Sequence, residues 1–291
     1  MALAVSGGPD SLALLLLAHA AFPGQVAAAT VDHGLRRESA AEAAMVAALC
    51  ADLAVPHATL KVLLEPGNLQ AEARVARYAA LADWMACESL AALLTAHHAD
   101  DQAETLLLRL NRGSGVAGLA GVRAKGTVPD TGLLLLRPLL GWRRAELASV
   151  VAAAGIDPVQ DPSNSDDRFD RARLRKALAE ADWLDMPALA ASAAHLADAD
   201  AALDWAAQRE WRECVVKAPM GLTYRPQAPK AVALRVLARI VTELDGTPPR
   251  GSAVARLFGS LVARQPASIG GLVARALPEG WSFTKAPARR G

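Results

Sequence analysis

The sequence predicts an α/β protein in which a parallel sheet carries helices on both faces and a small all-helical domain follows. Two observations predict this architecture. Short apolar runs suited to buried strands alternate with longer helix-forming segments through about the first 160 residues, the pattern of a parallel sheet covered on both faces. After that point, helical segments are joined by turns that contain Pro and Gly. We therefore place an α/β domain at 1–183 and a helical tail domain at 184–291.

Composition narrows the class of protein. At 291 residues, with 53% hydrophobic residues, the chain can form a sizeable core. The three cysteines stand far apart, which argues against a zinc site, an iron–sulfur cluster or a disulfide framework. No apolar run is long enough to span a membrane, so we expect a cytoplasmic protein. The net charge of +1 predicts no nucleic-acid partner by itself. A GC-rich genome explains most of the arginine content, although the local arginine clusters could still follow an RNA backbone.

The elements follow in order along the chain. The expected strands are Leu3–Val5, Gln25–Val31, His57–Leu64, Leu90–Ala96 and Leu133–Leu136. The expected helices of the first domain begin near Ser11 and then cover Glu38–Leu53, Asn68–Ala86, Gln102–Leu110, Arg143–Ala154 and Asp170–Ala181. In the tail, helices are expected at Ala188–Cys214, Lys230–Leu244 and Ser252–Ala263. Apolar positions at helical spacing and capping residues support these helices.

A turn with the sequence Ser6-Gly7-Gly8-Pro9-Asp10-Ser11 links the first strand to the first helix. The N-terminus of a helix presents unpaired N–H groups and the positive end of its dipole, which favour an anion. The glycines let a phosphate approach the main chain, and the serines add hydroxyl donors. Asp10 would repel phosphate unless a divalent cation lay between them, so we expect a polyphosphate with Mg²⁺ at Asp10. The turn is neither a Walker A motif nor G-x-G-x-x-G.

Three polar clusters follow strands of the predicted sheet. They are the turn at 6–11, the stretch Asp32–Arg37 and the stretch His97–Asp101. Because the carboxyl ends of parallel strands meet at one edge, where ligands bind in such sheets, we expect the three clusters to form a single site.

Five stretches, in order, resemble the tRNA(Ile)-lysidine synthetases, a family of N-type ATP pyrophosphatases in the PP-loop superfamily. They are Ser6-Gly7-Gly8-Pro9-Asp10-Ser11; Val31-Asp32-His33-Gly34-Leu35-Arg36; Asn68 to Arg74 with Arg77-Tyr78; His97-His98-Ala99-Asp100-Asp101-Gln102-Ala103-Glu104-Thr105 with Arg112-Gly113-Ser114-Gly115; and Asp161-Pro162-Ser163-Asn164 with Arg171 and Arg175. The turn alone indicates the superfamily, whereas the fourth stretch is far more specific. The resemblance implies a Rossmann-like sheet of the adenine nucleotide α-hydrolase type.

The resemblance also implies a two-step reaction. ATP adenylates the C2 carbonyl oxygen of the cytidine at the first anticodon position of tRNA(Ile) with a CAU anticodon. The ε-amine of free L-lysine then displaces AMP to give lysidine. The turn at 6–11 is the implied ATP-binding cradle, with Mg²⁺ offsetting the charge of the departing pyrophosphate.

Individual roles follow from the same resemblance. Asp32 matches an acidic residue beside the reacting centre, although a strand-end aspartate alone often only caps a helix or forms a turn. Arg112 matches a catalytic arginine suited to developing phosphate charge, although alone it resembles a charge at a helix C-terminus. Arg171 and Arg175 are the expected tRNA contacts.

The acids and histidines after the fourth strand admit several interpretations. Asp101 and Glu104 are spaced i, i+3 and could build a metal site, or they could simply complement a helix dipole. We favour a mixed interpretation, in which one or two of His97, His98, Asp101 and Glu104 face the substrate pocket and none of them holds a permanent metal.

Three features depart from the family pattern. The chain begins only five residues before the turn, where relatives have a longer lead-in, which leaves open a start further upstream. Ala172 stands where the family often has asparagine. The tail is too short for the separate C-terminal domain of longer relatives, so recognition of the tRNA acceptor stem would be reduced or would fall to the helical tail.

Two other functions are weighed against this one. The first is another PP-loop ligase or a tRNA thiolase; thiolases rely on cysteines near the site, and Cys50, Cys87 and Cys214 are not spaced as a pair. A non-catalytic ATP-binding module would not need the reactive groups at Asp32, Asp101, Glu104 and Arg112. The oligomeric state stays open, a homodimer included.

Overall fold

The computed structural model describes residues 1–34, 38–62, 69–159, 170–218 and 220–286. The chain divides into two compact units, Met1–Ala197 and Asp198–Gly291. The expected features at 36–37, at 68 and at 161–164 lie outside the described residues. None of the helices in the described ranges combines the length and the apolar character needed to cross a bilayer.

The first unit is built on a six-stranded sheet. Its strands are β1 (Ala2–Ala4), β2 (Ala27–Asp32), β3 (His57–Lys61), β4 (Ala92–Leu94), β5 (Lys125–Thr127) and β6 (Leu134–Leu136). The order is β3-β2-β1-β4-β6-β5, parallel throughout except for the antiparallel edge pair β5–β6. Strand β5 was not predicted, because Lys125-Gly126-Thr127 contains no apolar run. The strand order reverses between β1 and β4, and sheets of this kind open a ligand crevice at that point.

The helices of the first unit connect these strands. They are α1 (Pro9–Ala21), α2 (Glu38–Asp52), α3 (Leu69–Cys87), α4 (Ala99–Leu110), α5 (Val116–Leu119), α6 (Arg144–Ala153) and α7 (Asp170–Glu180); a long helix, α8 (Met186–Cys214), crosses from the first unit into the second. Except for the short α5 and the early start of α4, they lie close to the predicted helices.

Alternate residues of the strands enter two separate cores. Leu3 and Leu94 pack with residues of α1, α2 and α6. Their neighbours Ala2 and Leu93 pack with residues of α3 such as Met85. Because side chains of a strand alternate between faces, both faces of the sheet are buried under helices. This arrangement confirms the predicted parallel α/β fold.

The second unit is not purely helical. The predicted helices are present as the rest of α8, α9 (Lys230–Asp245) and α10 (Gly251–Val262). Beside them lies an antiparallel sheet of β7 (Val215–Ala218), β8 (Gly221–Tyr224), β9 (Ala267–Ile269), β10 (Leu272–Leu277) and β11 (Gly280–Lys285), in the order β7-β8-β11-β10-β9. The expectation of an all-helical tail is therefore corrected by this sheet.

The signal for the second sheet is present in the sequence. Leu222 and Tyr224 alternate with polar or small residues along β8, and Trp281 and Phe283 do so along β11; all four are buried in one core. Period-two alternation predicts a half-buried strand. The alanine-rich composition of the tail favoured helix and obscured these short runs.

Candidate active site

The turn at 6–11 joins β1 to α1 at the carboxyl edge of the sheet. Gly8 is the N-cap of α1, which begins at Pro9, a favourable residue for the first helical position and earlier than the expected Ser11. Gly7 has a φ of +84°, and a Cβ at this position would lie 3.2 Å from Val159 Cγ2. The Val159 N–H donates to Gly7 O at 3.0 Å. The positive φ therefore favours glycine at this position, and the approach of Val159 leaves little space for a side chain.

Ser11 organises the turn from within. Its hydroxyl donates to Gly8 O at 3.0 Å and accepts from the Ser6 N–H at 3.1 Å, and the two serine Oγ atoms lie 3.2 Å apart. Asp10, in contrast, has a buried Oδ1 with no hydrogen-bond partner among the described residues. Since buried polar atoms are normally paired, this open carboxylate oxygen fits the expected Mg²⁺, a cation that prefers oxygen ligands.

The N-terminus of α4 brings a second group of acids to the same place. His98 is its N-cap, and the His98 N–H donates to Asp101 Oδ2 at 3.2 Å. The His98 side chain is 1% exposed, and its Nε2 lies 3.4 Å from Asp10 Oδ2. Burial lowers the pKa of His98, but the contact with Asp10 and the charge of Asp101 outweigh burial, so the pKa is raised overall. The clusters after β1 and β4 therefore meet, as the sequence predicts.

Glu104 lies one turn further along α4 and is 2% exposed. Its Oε1 accepts from Arg175 Nε at 2.7 Å and from Arg144 Nη2 at 3.2 Å. Its Oε2 is buried and has no hydrogen-bond partner among the described residues. Two guanidinium groups therefore hold one oxygen of this buried carboxylate in a fixed position. Helices α6 and α7 thus position this predicted pocket residue.

His97 lies beside these acids with its Nδ1 3.0 Å from Thr95 Oγ1. Burial lowers the pKa of His97 to about 4; Asp101 opposes the shift, and nearby cations such as Arg137 add to it. At neutral pH the ring is therefore uncharged, and it can exchange hydrogen bonds with a substrate without carrying charge.

Asp32 ends β2, next to β1 on the same edge of the sheet. Its Oδ1 accepts from the Gly34 N–H at 2.9 Å and from the Ser39 hydroxyl at 2.6 Å. These two hydrogen bonds hold the pKa of Asp32 below its usual range. The carboxylate is therefore ionised, and one oxygen forms the kind of local turn contact that the sequence analysis left open.

Arg112 and Arg171 both contact other parts of the first unit. Arg112 Nη2 donates to Asp170 Oδ2 at 2.7 Å, and both side chains are largely exposed. Arg171 Nη2 donates to Thr105 Oγ1 at 3.2 Å. The hydrogen bonds described for Asp32 and Arg112 thus lie outside the cluster formed by Asp10, His98, Asp101, Glu104 and Arg175.

Sequence reasoning missed three residues that hold α4 in place. Asp100 accepts from Arg143 at 3.0 and 3.2 Å and from the Arg144 N–H at 2.8 Å, which ties the N-termini of α4 and α6 together. In the sequence, Arg143 and Arg144 stand out only as one of the local arginine clusters. Its spacing from the acids in the sequence gave no sign of the contact, which depends on the sheet bringing the two helices together.

Two further observations concern groups that could bind a metal ion and the reactivity of a cysteine. Within the described ranges, no three His, Cys, Asp or Glu side chains are grouped so as to hold a metal ion by themselves. Burial raises the pKa of the Cys50 thiol to about 11, so this group stays protonated at neutral pH.

Comparison with known proteins identifies the family of this chain. The PP-loop domain family matches residues 1–182. A tRNA(Ile)-lysidine synthase of Novosphingobium aromaticivorans is 52% identical over 292 residues, covering 99% of this chain and 89% of the relative. One of Zymomonas mobilis subsp. mobilis is 40% identical and covers 100% of this chain and 89% of the relative.

A solved structure shares the fold. The U34-tRNA thiolase NcsA from Methanococcus maripaludis, with its [4Fe-4S] cluster, superposes with a TM-score of 0.55 over 67% of this chain and 69% of the thiolase, at 16% identity. At this identity the likeness extends to the fold alone. The matches to curated relatives cover nearly the whole chain at 40% identity or more. The chain therefore belongs to the tRNA(Ile)-lysidine synthase family of PP-loop enzymes, which are ligases that form a C–N bond.

Proposed function

We propose that this chain joins free L-lysine to C2 of the cytidine at the first anticodon position of tRNA(Ile). ATP is consumed to AMP and pyrophosphate. In the first step the C2 oxygen attacks the α-phosphorus and pyrophosphate leaves, giving an adenylated cytidine. In the second step the lysine ε-amine forms a C–N bond at C2, AMP leaves with the former carbonyl oxygen, and the amine gives up a proton.

The observation that carries the proposal is the meeting of the turn at 6–11 with the acids of α4. Asp10 and Asp101 both approach the buried His98 ring, with carboxylate oxygens 3.4 and 3.5 Å from Nε2. An ATP-binding turn alone would serve many functions. A turn joined to a pocket of acids and arginines suits a reaction that transfers AMP and then admits an amine.

The residues divide the chemistry among them. The N–H groups of the turn would hold phosphate oxygens, and Asp10 would hold Mg²⁺, which neutralises charge on the leaving pyrophosphate. His97, Asp101 and Glu104 would line the pocket for cytidine and lysine. Asp32, ionised at the adjoining strand end, would position the amine, the metal or the base. Arg112 would stabilise charge that develops on the phosphates once it leaves Asp170.

The tRNA would lie along α7, where Arg171 is exposed at the surface, and along the second unit. Its anticodon cytidine must reach the carboxyl edge of β1, β2 and β4. Because tRNA and free lysine are cytoplasmic substrates, we extend the proposal to that compartment.

An omission series tests the proposal. Purified protein is incubated with ATP, Mg²⁺, lysine and a CAU-anticodon tRNA(Ile) transcript, and AMP and pyrophosphate are measured. We expect both products in equal amounts in the complete mixture and no lysine transfer without ATP. A tRNA(Met) transcript, which shares the CAU anticodon, is the matched control. AMP formation at the same rate with and without tRNA would contradict the proposal.

A further inference from the structure

The His98 side chain lies among three carboxylates from two elements. Its Nε2 is 3.4 Å from Asp10 Oδ2 and 3.5 Å from Asp101 Oδ2, and its Nδ1 is 3.6 Å from Asp100 Oδ2. The ring is 1% exposed, yet among the described residues neither nitrogen has a hydrogen-bond partner of good geometry, and the nearest carboxylate oxygen, Asp10 Oδ2, lies at 3.4 Å. Burying a ring with two unpaired nitrogens costs folding free energy, which indicates that His98 is kept at this position for a purpose other than stability.

Two of the three carboxylates have other partners. Asp100 accepts from the Arg143 side chain and the Arg144 N–H, and Asp101 accepts from the His98 main chain. Asp10 differs, since its Oδ1 is buried and unpaired while its Oδ2 faces the His98 ring. The ring therefore occupies one oxygen of Asp10 and leaves the other oxygen open.

From this arrangement we propose that His98 is a positioning residue for Asp10. By placing Nε2 against Oδ2, it fixes the rotamer of Asp10 and directs Oδ1 towards the cation of Mg²⁺–ATP. The same contact links the ATP turn to α4, so the pocket acids keep a fixed distance from the nucleotide. This inference rests on the proposed function for the identity of the ligand. Residues that orient a metal ligand typically change metal affinity by about 10- to 100-fold when removed.

A purely structural role makes a different prediction. His98 is the N-cap of α4, and asparagine is among the best N-cap residues, whereas glutamine is not. The amide nitrogen of asparagine occupies the place of Nδ1, and that of glutamine the place of Nε2. The variant His98→Asn therefore preserves a helix cap, and His98→Gln preserves a donor facing Asp10.

The test measures ATP binding by calorimetry over a Mg²⁺ titration, without lysine or tRNA. We expect His98→Asn and His98→Ala to need about 10- to 100-fold more Mg²⁺ for half-maximal ATP binding, with His98→Gln close to wild type. ATP binding in EDTA should be alike in all variants. Thermal unfolding of each variant reports on its fold, and His195→Gln, an exposed histidine of α8, is the matched control.

A double-mutant cycle with Asp10→Ala completes the test. Because His98 acts through Asp10, the double variant should need no more Mg²⁺ for half-maximal ATP binding than Asp10→Ala alone. Additive losses, or wild-type behaviour of His98→Asn together with failure of His98→Gln, would overturn the inference. The proposed function fails separately: wild-type protein that binds Mg²⁺–ATP as described but leaves tRNA unmodified would refute the function and keep the inference.

Discussion

Arg175 Nε donates to Glu104 Oε1 at 2.7 Å, which ties the middle of α7 to a carboxylate buried on α4. Arg175 Nη2 also lies 3.7 Å from Asp101 Oδ1. Two of the acids predicted to line the pocket thus hold a guanidinium group that the sequence predicts to contact tRNA. Burial lowers the pKa of Arg175, but the carboxylates of Glu104, Asp101 and Asp10 outweigh burial and raise it. The tRNA assignment of Arg175 stays a prediction, and the pocket offers an alternative role.

Arg175→Ala should destabilise the first unit. It leaves Glu104 with Arg144 as its remaining guanidinium partner, and stranding a buried charge costs on the order of 1–3 kcal/mol. We expect a lower Tm and loss of AMP formation, with a smaller effect on tRNA affinity. Arg173→Ala, an exposed arginine of the same helix, is the control. A variant with wild-type Tm that loses only tRNA affinity would restore the original assignment.

Arg171 carries the clearer RNA prediction. Its side chain is exposed at the start of α7. If it contacts one phosphate, Arg171→Glu should weaken tRNA binding and reduce the salt slope of the affinity by about one. Lys125→Glu, on the edge strand β5, applies the same charge change elsewhere. A salt slope for Arg171→Glu that equals the wild-type slope would place the RNA path away from α7.

Arg112 can be separated from its partner. Its ion pair with Asp170 is exposed, and such pairs contribute little stability. A catalytic Arg112 predicts that Arg112→Ala slows pyrophosphate release by on the order of 10²- to 10³-fold, with little change in ATP affinity. Asp170→Ala frees the guanidinium and should leave the rate near wild type. Equal losses in both variants would mean that the pair, and not the free arginine, is what matters.

His97 predicts a loss of stability on acidification. Its pKa is lowered to about 4 from an ordinary 6.5, so the unfolded chain takes up the proton first. Its contribution is therefore fully present above about pH 6.5 and is lost as the pH falls towards about 4. Between about pH 7.5 and about pH 5, the Tm of wild type should fall more than that of His97→Gln. Parallel curves would show that His97 takes up its proton equally in both states.

The first unit could be largely predicted because its signals are local. Apolar strands such as Leu90–Ala96 and a glycine turn before an apolar helix each identify one element. The ends of β1 and β4 then meet by topology alone, which places Asp10 near Asp101. The contacts of Glu104 with Arg144 and Arg175 could not be predicted, because they join helices that are distant in sequence.

The second sheet was missed for a different reason. Its strands are three to six residues long, and alternation over so few positions competes with strong helix formers on either side. The hairpin of β10 and β11, with Leu277 opposite Gly280, was the strongest available signal. The role of Arg112 was predicted from its place in a stretch that resembles the family. Its ion pair with Asp170 could not be predicted in this way, because it depends on where α7 lies.

The most direct test of the central claim is the chemical identity of the modified nucleoside. A CAU-anticodon tRNA(Ile) transcript is incubated with the protein, ATP and isotope-labelled lysine, then digested and analysed by mass spectrometry. We predict one new nucleoside, a cytidine that has gained lysine with loss of water, located at the first anticodon position and absent when Asp10→Ala protein is used. Unmodified cytidine at that position, despite turnover of ATP to AMP, would contradict the account.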